Sequence, residues 1–189
     1  MNQYFNNNES LNKDLRYISY DFKGHKFRFA AHDGVFSKDH VDYATDILLN
    51  TIPELSGSVL DLGCGYGVIG IVLEKVYGVK LTSADVNPAA VELTRLNGVE
   101  NVILSDCFDN ITGKFDTIVI NPPIHAGKST TYKMYEESEK HLNSGGKLYV
   151  VTLKKHGAES TIAKLNDVFG NCEVLYKKKG YYVLESTSL

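Results

Sequence analysis

Apolar positions along this chain change period several times, and the changes mark out its elements. Around Lys23-Gly24, two short runs alternate aromatic and aliphatic residues with polar ones, Arg16 to Phe22 and Lys26 to Ala30, the pattern of a β-hairpin. From Lys38 to Asn50, Val41, Ala44, Ile47 and Leu48 recur at three- and four-residue steps, which predicts an amphipathic helix ended by Pro53. Strand-like and helix-like stretches then alternate. Strands are expected at 58–62, 79–84, 101–105, 115–120 and 147–153, with a closing hairpin of 172–176 and 181–185. Helices are expected at 66–77, from Asn87-Pro88 to Asn97, at 130–142 before Ser144-Gly145-Gly146, and at 158–169. Alternation with short loops predicts an α/β fold, a mainly parallel sheet covered on both faces by helices. Residues 1–50 are read as an N-terminal extension of tail, hairpin and helix, and 51–189 as the main domain.

Composition narrows the class without choosing a function. The chain has 189 residues, 43% of them hydrophobic and 23% charged, an ordinary globular balance. Its formal charge of −3 argues against a protein held to nucleic acid by net charge, although a local basic patch stays compatible with it. No apolar run reaches the ~18–20 residues of a membrane span, and the polar start Met1-Asn2-Gln3-Tyr4 does not read as a signal peptide. Cys64, Cys107 and Cys172 are scattered and form no CxxC pair, so a reducing, cytoplasmic setting is expected. The histidines lack metal spacing, and no metal is expected.

Two loops carry the candidate chemistry. The first follows strand 58–62, in the stretch Val59 to Gly70 with glycines at 63, 65, 67 and 70. Glycines here let a ligand approach the backbone, and the following helix start offers unpaired N–H groups. Gly65-Tyr66-Gly67-Val68-Ile69-Gly70 is formally a dinucleotide-type G-x-G-x-x-G, with Asp85 twenty residues after Gly65. That register would require glycine to extend the strand, and Asp61 at the strand end would repel a pyrophosphate. A turn beginning at Gly63 and a ligand cationic near Asp61 remove the conflict. S-adenosylmethionine has that character: Asp61 lies toward its methionine end, Asp85 accepts the ribose hydroxyls, and Asp106 faces the adenine.

The second loop is Asn121-Pro122-Pro123-Ile124, directly after strand 115–120 and beside the first loop at the sheet's switch point. Two prolines after a buried strand remove donors and fix the backbone, which aims carbonyls. The side-chain oxygen of Asn121 and the main-chain oxygen of Pro122 can each accept one hydrogen of a planar NH₂ group. An amine held in that way is favoured to pyramidalise and presents its lone pair to an activated methyl group.

On these residues, together with Gly34-Val35-Phe36-Ser37, Asp42, Asp85-Val86-Asn87 and His125, the chain resembles class I S-adenosylmethionine-dependent methyltransferases. The group it resembles within them is the small-domain one related to ribosomal RNA small-subunit methyltransferase C. The resemblance spans about residues 16–189 and implies a Rossmann-like sheet of order 3-2-1-4-5-7-6 with strand seven antiparallel. It implies methylation of a guanine N2 amine, with ribosomal RNA or the small ribosomal subunit as partner; a monomer is favoured. Asn121 and Pro122 are then the catalytic candidates. The cofactor-binding candidates are Asp61, Gly63, Gly65, Gly67, Asp85, Val86, Asp106, Asn121 and Phe36. Toward substrate stand Pro123, Ile124, His125, Phe36 and Lys128, with Tyr132 and Tyr135 as further base-contact candidates. Ile124 departs from the aromatic that many amine-methylating relatives carry there.

Other readings keep the cofactor but change the acceptor to a tRNA guanine, a DNA adenine or a protein glutamine, or retain the fold as a non-catalytic binding module. A nicotinamide-dependent dehydrogenase is more distant. Lys128, Lys154, Lys155, His156 and Lys177 to Lys179 fall in loops or at element ends. Such runs are ordinarily solvated faces; as a functional set they would form a phosphate-tracking rim. Lys128 and Lys154 are best placed for that rim, and the Lys177–Lys179 turn less so.

Overall fold

The computed structural model describes residues 15–32, 35, 40–123 and 127–189. Two antiparallel strands, β1 (Arg16–Phe22) and β2 (His25–Ala31), form the expected hairpin, with Lys23 and Gly24 both at positive φ in its turn. Helix α1 is Tyr43–Thr51, which begins later than the apolar periodicity from Lys38 predicted. Asp42 explains the start, since its carboxylate accepts from the backbone N–H of Ala44 and Thr45 and so caps the helix.

The remaining elements are β3 (Ser58–Leu62), α2 (Val68–Tyr77), β4 (Lys80–Asp85), α3 (Pro88–Leu96), β5 (Val102–Leu104) and β6 (Phe115–Ile120). They continue through α4 (Gly127–Lys140), β7 (Leu142–Leu153), α5 (Ala158–Phe169), β8 (Glu173–Lys178) and β9 (Tyr181–Thr187). The main sheet has seven strands in the order β5-β4-β3-β6-β7-β9-β8. Counted from β3, this is 3-2-1-4-5-7-6, with β9 antiparallel to both neighbours. Expectation and structure differ at 141–146. Helix α4 ends at Lys140 and β7 begins at Leu142; Ser144-Gly145-Gly146 forms a bulge inside the strand, between the Phe115–Leu142 and Thr117–Lys147 pairs.

Alternation along the central strands divides the core. Val59, Val119, Tyr149, Val151 and Val183 face α1, α2, α3 and the hairpin, whereas Leu60, Leu62, Ile118, Ile120, Leu148 and Val150 face α4 and α5. Ile18, Phe22 and Phe29 of the hairpin are buried in the first of these clusters beside Val68, Ile69 and Val72 of α2. Burial of such side chains contributes about 1.5–3 kcal/mol each. Tyr135 is only 2% exposed and lies in the second cluster, and Tyr132 packs against it with its ring beneath Lys164 of α5. Tyr135 is therefore a helix-packing residue, while Tyr132 keeps part of its surface exposed.

Asn97, the C-cap of α3, fastens the hairpin to the first glycine loop. Its side chain accepts from Ala30 N–H at 2.7 Å and donates to the carbonyls of Ala30 and Tyr66 at 2.9 and 2.8 Å. Asn97→Ala removes all three bonds while leaving their partly buried partners, so a loss of about 1–3 kcal/mol is expected in urea unfolding. Faster hydrogen exchange at the Ala30 amide should accompany it. A loss below about 0.5 kcal/mol would mean that packing alone holds the hairpin.

Candidate active site at the carboxyl edge

Three strand ends meet at one level. Leu62 pairs with Ala84 on one side and Ile120 on the other, so the next residues, Gly63, Asp85 and Asn121, stand at a common level, Asp85 still paired with Leu104 of β5. β3 ends at Leu62 and the first turn starts at Gly63, whose φ is +79°, while its N–H still donates to Ala84 O at 2.8 Å. This is the register of the S-adenosylmethionine reading and not of the dinucleotide one. The loop glycines serve different ends. At Gly63 and Gly65, both at positive φ, an added Cβ would meet nothing within 4 Å, so the backbone there borders open space. At Gly70 an added Cβ would lie 2.8 Å from Leu81 Cδ1 and 3.1 Å from Asp61 Oδ2, so glycine there permits α2 to lie close on the sheet.

Asp85, half-buried at the end of β4, accepts from Gly65 N–H at 2.9 Å and from Asn87 N–H at 2.8 Å. It thereby joins the first loop to the cap of α3. Burial raises its pKa, and the backbone donors oppose that rise. Thr94 of α3 adds a second fastening, donating to Gly65 O at 2.9 Å. Asp61 is 1% exposed. Its Oδ2 accepts from Gly70 N–H at 2.9 Å and so pins the first turn of α2, while its Oδ1 is buried without a hydrogen-bond partner. Desolvation, opposed by the Gly70 bond and reinforced by the nearby charge of Asp85, lifts its pKa to about 7. Val86 is half-buried just beyond Asp85, and Asp106 is exposed just beyond β5.

Asn121 is oriented by residues of the N-terminal segment. Its Nδ2 donates to Thr45 Oγ1 at 3.0 Å and lies 3.5 Å from each carboxylate oxygen of Asp42. Thr45 in turn gives its hydroxyl hydrogen to Asp42 Oδ2 at 2.6 Å. The amide nitrogen is drawn to this acid and hydroxyl, and Oδ1 is the end of the amide that takes no part in that network. Asp42 entered the sequence reading as part of a motif inside a helix, and Thr45 did not enter it. An Asp directly before an apolar-periodic run, a preferred N-cap, was the available signal for Asp42, and no local pattern singled out Thr45.

Pro122 and Pro123 are half-buried beside Asn121, and Lys128 is exposed in the first turn of α4. Phe36, Ile124 and His125 lie outside the described residues. The Lys177–Lys179 turn corrects its expected place. Because β9 runs antiparallel and Tyr181 pairs with Leu153, the β8–β9 turn reaches the same edge as Asn121, and Lys154 N–H donates to Gly180 O at 2.7 Å. Among the described residues, no three His, Cys, Asp or Glu side chains are grouped as metal ligands, and no helix is long and apolar enough to cross a membrane.

Residues 26–185 match the family described as Methyltransferase small domain. The chain belongs to that family. It is 38% identical to the uncharacterized protein YbxB of Bacillus subtilis (strain 168), over 97% of this chain and 96% of that one. It is 40% identical to ribosomal RNA small subunit methyltransferase C of Serratia proteamaculans (strain 568), over 82% of this chain and 47% of that one. Among solved structures it is similar to the T. thermophilus 16S rRNA N2 G1207 methyltransferase (RsmC) in complex with AdoMet and guanosine. The TM-score there is 0.84 at 27% identity, covering 95% of this chain and 51% of that one. This methyltransferase-family chain thus spans about half the length of those RNA-modifying relatives and nearly all of YbxB.

The raised pKa of Asp61 gives this family member a pH-dependent stability. Between the unfolded value near 4 and the folded value of about 7, the folded state binds the extra proton. Stability in the absence of ligand therefore falls as pH rises from about 4 to about 7, by up to ~1.4 kcal/mol per unit from this group, and levels above. Asp61→Asn should flatten that part of the profile, as read by urea midpoints across the range. An unchanged slope would place the effect on other groups.

Proposed function

We propose that this chain transfers a methyl group from S-adenosylmethionine to the exocyclic N2 amine of a guanine in small-subunit ribosomal RNA. The observation that carries the reading is the orientation of Asn121, whose amide nitrogen is held by Thr45 and Asp42 so that its oxygen is left as an acceptor at the sheet's switch point. The names and substrates of the RNA-modifying relatives support the choice of acceptor.

The residues present fit the cofactor. Backbone at Gly63 and Gly65 borders open space, Asp85 stands at the end of β4 for ribose hydroxyls, and Asp61 offers a buried, unpartnered oxygen toward a cationic end. Val86 and the exposed Asp106 continue the same edge toward the base. When bound, S-adenosylmethionine supplies an electrophilic methyl group activated by its sulfonium. The chain's part is positioning. Oδ1 of Asn121 and the carbonyl of Pro122 each accept one hydrogen of the guanine amine, whose lone pair is otherwise delocalised into the ring. Holding both hydrogens favours pyramidalisation, directs the lone pair, and places carbonyl dipoles where positive charge develops. Asp42 and Thr45 are positioning residues, since they act through Asn121.

The direct test is tritiated methyl transfer to naked ribosomal RNA, free small subunits and assembled ribosomes, followed by nucleoside analysis. N2-methylguanosine is the expected product; a methylated adenosine or a labelled protein would assign another acceptor. Asn121→Ala should lower turnover a hundredfold or more, about 3–4 kcal/mol, while calorimetry shows unchanged S-adenosylmethionine affinity. Near wild-type turnover, or parallel loss of cofactor binding, would make Asn121 a structural strand cap. Thr45→Val keeps the shape but removes the hydroxyl that orients the amide. A fall in kcat of about tenfold with unchanged KM for RNA is expected, whereas a change in stability alone would deny it the positioning role.

A further inference from the structure

The carboxyl edge of the sheet continues beyond Asn121 with the opposite charge. Next to β6 lies β7, whose end runs into a single helical turn, Lys154–His156. Beside that turn comes the β8–β9 turn, in which Lys179 and Gly180 both have positive φ. An open cleft of about 610 Å³ is lined by Leu153, Lys154, Lys155, Lys179 and Gly180. The three lysines are exposed, and among the described residues none has a carboxylate partner. Like charges gathered around a cleft without counter-charge repel one another, and a chain of anions relieves that repulsion.

An aromatic pair joins the chain neighbours of this cleft to those of the Asn121 network. Tyr43 directly follows Asp42, the residue that helps orient Asn121, and is 45% exposed. Its ring meets that of Tyr181 edge-on, with centroids 5.1 Å apart and planes at 87°. Tyr181 in turn follows Gly180 of the cleft wall. Lysines beside an exposed aromatic ring, on the same sheet edge as Asn121, match the chemistry that binds single strands: cations track phosphates while a ring stacks on a base.

We propose that Lys154, Lys155 and Lys179, with the exposed ring of Tyr43, bind the single-stranded RNA flanking the target nucleotide. The lysines contact its phosphates and Tyr43 stacks on a neighbouring base. The proposal rests on the RNA reading above and adds where the strand runs: away from the carboxylate-bearing ends of β3, β4 and β5 and across the end of β7 and the start of β9.

The test uses the whole chain and a short, mixed-sequence single-stranded RNA as probe, with anisotropy measured over a range of KCl concentrations. The variant combines Lys154→Ala, Lys155→Ala and Lys179→Asn. Asparagine is chosen at 179 because Lys179 has φ +51°, a conformation that asparagine adopts more readily than lysine. Loss of three phosphate contacts should reduce the log–log salt slope by about 2 and weaken binding about tenfold or more near 0.1 M salt. Thermal stability and S-adenosylmethionine binding should not change. Tyr43→Ala should weaken binding by about fivefold or more with the slope unaltered. If the triple variant keeps wild-type affinity and slope while the wild type methylates RNA, the flanking site is overturned and the Asn121 reading stands. If the wild type neither binds nor methylates RNA, both are overturned. Tighter binding to vesicles containing anionic lipid than to RNA, lost in the same variant, would assign the lysines to a membrane surface and overturn the proposal.

Discussion

Parallel pairing of β3 with both β4 and β6 is the constraint on which the site depends. The pairs Leu62–Ala84 and Leu62–Ile120 bring the three strands to a common level at this edge. A glycine turn, a carboxylate and an amide are thereby delivered to one crevice from three distant parts of the chain. Side chains alternate along a strand, so a slip of one residue in either pairing would exchange the side chains that fit the two helical layers and move the strand end that carries a crevice residue. The dense apolar packing on both faces, with Leu60 and Val119 fully buried, therefore also sets the register of the chemistry.

Charge is partitioned along that edge. Asp106, Asp85 and Asp61 stand at the ends of β5, β4 and β3, while Lys154, Lys155 and Lys179 stand at the ends of β7 and the β8–β9 turn, with Asn121 between them. A formal net charge of −3 conceals the division, because a sum over residues carries no information about position. In the reading proposed above, such an edge separates the place of a cationic ligand with hydroxyl groups from that of a polyanion, with Asn121 at their boundary.

The N-terminal segment is part of this arrangement. Its hairpin is buried against α2 and tied to the glycine loop through Asn97, and the start of α1 orients Asn121 through Thr45 and Asp42. One bonded chain of groups does two jobs at Asp42: it caps a helix and fixes an amide. Economy of that kind explains why the helix begins where it does and not where its apolar stripe first appears.

The sequence by itself determined the alternation of strands and helices, the sheet order through the family resemblance, the turn beginning at Gly63, and the two loops that hold the candidate chemistry. Apart from the sheet order, these features are local: they rest on side-chain period, on proline and glycine backbone limits, and on the conflict between a carboxylate at Asp61 and a pyrophosphate. The bounds of β6 and α5 matched for the same reason, since strong periodicity and clear breakers frame both. What only the tertiary structure decided depends on partners far apart in the chain. Asp42 and Asn121 are 79 positions apart, and Ala30 and Asn97 are 67, so no local pattern records either contact. The Lys177–Lys179 turn lies at the Asn121 edge because Tyr181 pairs with Leu153, and Ser144-Gly145-Gly146 became a bulge because Leu142 already pairs with Phe115. Register and strand direction are properties of the packed sheet, and through them distance along the chain becomes proximity at the site.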